Sequence, residues 1–71
     1  MGGSEGIVLL VDDDPAILVM VGDRLRLAGY QVVKADSGRK AIETLERVRP
    51  DVILLDIGMP DMSGVAFLSE I

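Results

Sequence analysis

The apolar positions of the chain change period several times, from unbroken runs to helical spacing and back, the pattern of strands alternating with helices. Ile7-Val8-Leu9-Leu10-Val11 is a continuous aliphatic run of strand length with no polar face, so it predicts a strand buried on both sides. Asp12, Asp13 and Asp14 end it. Asp14 before Pro15 predicts a helix start, an acceptor at the N-cap and proline at the first helical position. Ile17, Leu18, Val21, Leu25 and Ala28 follow at helical spacing, and Gly29 is the expected stop. Gln31 to Ala35 predicts a second, poorer strand, its apolar run broken by Gln31 and Lys34. Ser37 and Gly38 open a second helix with Ala41, Ile42 and Leu45 on its inner face, and Pro50 closes it.

Val52 to Leu55 predicts a third strand, apolar on both faces, and it too ends in an aspartate, Asp56. Gly58-Met59-Pro60-Asp61-Met62-Ser63-Gly64 has the composition of a loop. Ser63 then caps a last helix with Val65, Leu68 and Ile71 as its apolar positions. The expected order is βαβαβα. Two strand ends echo each other, each an aliphatic run leading to aspartate with a proline soon after; this is one βα unit used again, not a solenoid repeat.

Composition narrows the function classes. The chain has 71 residues, about half of a domain of the common size of roughly 100–150. Seven Lys and Arg against twelve Asp and Glu give a net charge of −5, which argues against a protein that tracks nucleic-acid phosphates. One Tyr, one Phe and no Trp leave no platform for stacking bases. The absence of Cys and His excludes disulfides, thiolate metal sites, imidazole bases and the ordinary zinc sites. With 49% hydrophobic residues the chain is no disordered acidic tail, and no segment reaches the roughly 20 apolar residues of a membrane span. Residues 1–6 carry neither the basic nor the apolar region of a signal peptide and are expected to form a flexible leader, with the protein in the cytoplasm.

Ligands of parallel α/β sheets lie outside the carboxyl ends of the strands. If the two most apolar strands are neighbours, Asp12 and Asp13 share an edge with Asp56. Three carboxylates that close repel one another, and a proton or a cation relieves them. With no nitrogen or sulfur ligand available, an all-oxygen site suits a hard ion, magnesium in particular. A carboxylate beside such an ion can also act as a nucleophile toward phosphorus. Asp14 and Asp61 fit plainer roles, a helix cap and a solvated turn. Lys34, Arg39, Lys40, Arg47 and Arg49 are expected on solvated faces, and Met59 and Met62 in packing.

Val11-Asp12-Asp13-Asp14-Pro15, then Val52-Ile53-Leu54-Leu55-Asp56-Ile57-Gly58-Met59-Pro60 and Gly64, together resemble a response-regulator receiver domain. Gly29-Tyr30, Ala35-Asp36-Ser37-Gly38 and the region of Ala41 are similar to that family's second strand and helix. The resemblance covers residues 7–71 and implies the N-terminal half of a doubly wound, flavodoxin-like fold with parallel strands in the order 2-1-3. It implies that Asp56 accepts a phosphoryl group from a histidine kinase or phosphotransfer protein, or from a small phosphodonor. It implies that Asp13 holds magnesium directly, Asp12 largely through water, and Gly58 through its backbone carbonyl. Met59-Pro60 and Gly64 correspond to the loop and helix start that keep the acceptor open.

The hydroxyl residue that ends the fourth strand in that family, and the lysine that ends the fifth, have no counterpart before Ile71. The expectation is a phosphoacceptor that catalyses at most its own modification and lacks the later switch and output elements. In the order 2-1-3 the third strand is an edge although it is as apolar as a central strand. A homodimer or domain-swapped assembly through that strand, with two copies meeting antiparallel, is therefore expected. Two rival readings are a self-assembling half-domain without phosphorylation and a haloacid-dehalogenase-like phosphatase. The latter is suggested by Asp12-x-Asp14, but Ala16 stands where that family has Thr or Val, and Asp56-x-x-Met59-Pro60 goes unexplained.

Overall fold

The computed structural model describes residues 5–56. Its elements are β1 (Ile7–Val11), α1 (Pro15–Leu27), β2 (Gln31–Ala35), α2 (Gly38–Leu45) and β3 (Val52–Leu55). The expected loop at 58–64 and the helix from Ser63 lie outside the described residues. The three strands form one parallel sheet in the order β2-β1-β3, as the sequence pattern and the resemblance imply.

The sheet is built around β1. Val8, Leu9, Leu10 and Val11 are each at most 4% exposed, because β1 pairs on both sides and is covered on both faces. The register sets Leu9 between Val33 and Ile53, and Leu10 between Lys34 and Leu54. Alternation along the strands then sends Leu9, Val11, Val33, Ala35, Ile53 and Leu55 to one face, where they pack with Ala41, Ile42 and Leu45 of α2. The opposite face carries Val8, Leu10, Val32 and Lys34 and receives α1 through Leu18 and Gly22. Burying a side chain such as Leu9 or Val11 contributes roughly 1.5–3 kcal/mol.

Local chemistry sets the ends of the helices. Asp14 is the N-cap of α1, its carboxylate accepting from the Ala16 N–H at 2.9 Å, with Pro15 at the first helical position. The helix closes in a Schellman motif. Tyr30 N–H donates to Leu25 O and Gly29 N–H to Arg26 O, both at 3.0 Å, and Gly29 takes φ of +101°, where a side chain would be strained. Ser37 caps α2 by accepting from the Lys40 N–H at 3.1 Å.

Three expectations need correction. Ala28, expected among the helical apolar positions of α1, is instead its exposed C-cap. Gly22 is buried beside Leu18 on the packed face, and its missing side chain lets Lys34 and Val32 approach. Lys34 is accordingly half-buried, its methylene stem lying over Gly22 rather than on a solvated face. Finally, α2 ends at Leu45, well before Pro50. There the N–H groups of Glu46, Arg47 and Val48 turn back to the carbonyls of Glu43 and Thr44.

The ranking of buried positions can be measured. Leu9→Ala is expected to lower the unfolding free energy by about 2–5 kcal/mol. Leu27→Ala, at a side chain that is 90% exposed, should change it by less than about 0.5 kcal/mol. Urea denaturation of the two variants beside the parent checks both.

Candidate functional site

The carboxyl ends of β1 and β3 form the candidate site. Pairing continues one residue past each strand: Asp12 N–H donates to Ala35 O at 3.1 Å and Asp56 N–H to Val11 O at 3.0 Å. The backbones of two aspartates are thereby fixed at one edge of the sheet, on neighbouring strands. Asp13 follows immediately, at the turn into α1. One carboxylate oxygen from each of Asp12, Asp13 and Asp56 lies within 4.8 Å of the others. Asp12 and Asp56 are half-buried and Asp13 is exposed.

The turn that carries the acidic pair is held by its own side chains. Asp12 Oδ1 accepts from the Asp14 N–H at 2.9 Å, and Asp14 Oδ1 in turn accepts from Ala16. Asp14 therefore serves as the cap of α1, the plainer role the sequence pattern gives it. Beside the site a depression of about 290 Å³ runs between α1 and β3, with Asp12 and Asp56 at its rim and Ile17, Val21, Leu10 and Leu54 among its walls. Its lining is mostly aliphatic, and Asp12 and Asp56 are the two acids in it.

Two unit charges about 4 Å apart repel by about 1 kcal/mol even in water, more where solvent is partly excluded. The set of donors is oxygen only, small in span and open on the Asp13 side, which fits a hard divalent cation such as magnesium. Asp12, Asp13 and Asp56, all singled out in the sequence, are brought together; Gly58 lies outside the described residues. One carboxylate that the sequence pattern passes over is Asp51, at the far end of β3. Its Oδ2 accepts from the Ile7 N–H at 2.7 Å, while its own N–H donates to Ile7 O at 2.8 Å. The available signal is that acids bracket β3 at both ends.

Comparison with known proteins gives one consistent answer. Residues 8–71 match the model of the response regulator receiver domain. The chain is 42% identical over 69 residues to the probable transcriptional regulatory protein TcrX of Mycobacterium tuberculosis, covering 97% of this chain and 30% of that protein. The chemotaxis response regulator CheY4 of Vibrio cholerae superposes with a TM-score of 0.86 at 42% identity, over 90% of this chain and 53% of that one. The response regulator TrrA of Thermotoga maritima, solved in complex with Mg2+ and BeF, superposes with a TM-score of 0.84 at 33% identity, over 90% of this chain and 56% of that one. The chain thus spans about half the length of these solved relatives and less of TcrX.

Neighbouring aspartates should respond to substitution with opposite signs. In the presence of EDTA, Asp14→Ala is expected to destabilise by about 1 kcal/mol through loss of the cap. Asp13→Asn is expected to stabilise by up to about 1 kcal/mol by removing one repelling charge. Urea denaturation of both variants in the same buffer reads the two signs.

Proposed function

The chain belongs to the response regulator receiver domain family, and on that premise we propose that it is a phospho-accepting receiver module of a two-component or phosphorelay pathway, with Asp56 as the acceptor. The observation that supports this reading most directly is the placing of the Asp56 carboxylate beside those of Asp12 and Asp13 at open strand ends. The donor is a phosphohistidine on a sensor kinase or phosphotransfer protein in the cytoplasm. A carboxylate oxygen of Asp56 attacks phosphorus, forming an O–P bond as the P–N bond breaks. The imidazole nitrogen leaves with the electron pair and takes up a proton, and the product is an aspartyl phosphate.

Asp12, Asp13, Asp56 and the carbonyl of Gly58 are the groups that would hold magnesium. Bound there, the ion supplies positive charge against the phosphoryl oxygens. The protein's own part is positional. The strand ends fix Asp56, the turn bonded through Asp12 fixes the acidic pair, and the exposed side of Asp13 leaves the approach open to a donor.

Incubation with magnesium and acetyl phosphate, in which the P–O bond to acetate breaks instead, tests the acceptor. Intact mass should show a single phosphoryl adduct that requires magnesium and is absent from Asp56→Asn. Equal modification of parent and variant would overturn the assignment. Asp13→Asn should slow the transfer and raise the magnesium concentration it needs.

A second reading, self-assembly through β3, is favoured by one observation. Val52 and Leu54 are 46% and 38% exposed on a strand that carries no charge and, among the described residues, has no partner on its outer side. Antiparallel pairing of β3 with a second copy would cover them. Sedimentation should then show a dimer at micromolar concentration that Leu54→Lys converts to monomer; a monomeric parent would remove this reading.

A further inference from the structure

β3 has an unusual weakness. Its four residues, Val52-Ile53-Leu54-Leu55, are aliphatic on both faces, and so are their partners in β1, Val8 to Val11. Slipping one strand past the other by one residue would exchange one aliphatic side chain for another on each face. Packing alone therefore discriminates poorly between neighbouring registers, unlike a strand with one polar face. The candidate site does not share that tolerance. A slip of one residue moves Asp56 by about 3.3 Å along the sheet and turns its carboxylate to the other side.

The discrimination comes from the opposite end of the strand. Asp51 and Ile7 close a two-bond ring, the Asp51 N–H on Ile7 O at 2.8 Å and the Ile7 N–H on Asp51 Oδ2 at 2.7 Å. Gly6 makes the room. It takes φ of +133°, and a Cβ there would stand 2.8 Å from Asp51 Oδ2. Burial does not demand this arrangement. Asp51 is exposed and Ile7 only half-buried, so water could satisfy the same groups. Water cannot, however, select one register out of several; a carboxylate seated over a glycine and bonded to one residue can.

We propose that Asp51 is a positioning residue for phosphoryl transfer: by locking β3 to β1 at Ile7, it sets the place of Asp56 against Asp12 and Asp13 at the other end of the strand. The lock and the site are five residues apart, about 16 Å of extended chain. The proposal rests on the reading of Asp56 as acceptor only for its kinetic consequence; the register itself is independent of that reading.

The experiment compares the parent with Asp51→Ala, Asp51→Asn and, as a core control, Ile42→Val. Asp51→Ala is expected to slow magnesium-dependent transfer from acetyl phosphate on the order of 100-fold, the scale of a misplaced reacting group, with the loss in maximal rate. Asp51→Asn keeps an oxygen that can accept from Ile7 and should retain most of the parent rate. Ile42→Val lowers stability without touching the lock and should leave the rate unchanged. Cross-strand NMR contacts between Leu10 and Leu54, and between Val8 and Val52, should be altered in Asp51→Ala and preserved in Asp51→Asn. In the parent, the Ile7 amide should exchange with solvent as slowly as the amides at the centre of β1.

Parent-like contacts and rate in Asp51→Ala, or an equal loss of rate in Ile42→Val, would overturn the proposal. Should Asp51→Ala fail to fold, the parent's Ile7 amide decides, and exchange as fast as in an unprotected amide overturns the lock. A parent that takes no phosphoryl group defeats the acceptor reading, while the cross-strand contacts still judge the register.

Discussion

The acidic groups at the two ends of β1 stand where they do because the strand itself can hold none. Its four innermost residues are sealed by a neighbouring strand on each side and a helix on each face. A strand so enclosed has its backbone groups satisfied by the sheet and its side chains by aliphatic contact, and any charge within it would lose its hydration. Charge is therefore pushed out to the two ends. At one end stand Asp12 and Asp13, at the other the Ile7–Asp51 ring. The same burial that stabilises the fold fixes the backbone from which the acidic residues project.

The site carries a cost of its own. Three carboxylates in one small space repel one another. The fold restrains them through the backbone, with Asp12 held by the Asp14 N–H and by pairing to β2, and Asp56 held by pairing to β1. Such repulsion favours a nearby cation, and it acts between Asp13, the exposed member of the group, and two half-buried partners.

Much of this was legible in the sequence, for identifiable reasons. The unbroken run from Ile7 to Val11 could only be satisfied by burial on both faces, and Asp14-Pro15 and Ser37-Gly38 carry the chemistry of helix starts. Convergence of Asp12, Asp13 and Asp56 followed from parallel topology once two such runs ended in aspartate. What stayed hidden depends on pairs distant in sequence. Gly22 looks like a helix defect until Lys34 is seen lying across it. Asp51 looks like a solvated acid until Gly6 and Ile7 are seen opposite it, 44 residues away in the case of Ile7. The end of α2 was misplaced because carbonyls of the last turn were satisfied locally, without any help from Pro50.

The central strand is also made before both of its neighbours. β1 meets β2 only after α1 has been made, and meets β3 only after two crossovers, so its two ladders close at very different times. Long-range parallel pairing of this kind is slow compared with helix formation. Until β3 arrives, one side of the most apolar segment in the protein is an open edge, and Asp12 and Asp13 have no Asp56 beside them. The acidic cluster comes into being only when β3 pairs with β1, so a nascent or partly unfolded chain has the three carboxylates but not their convergence.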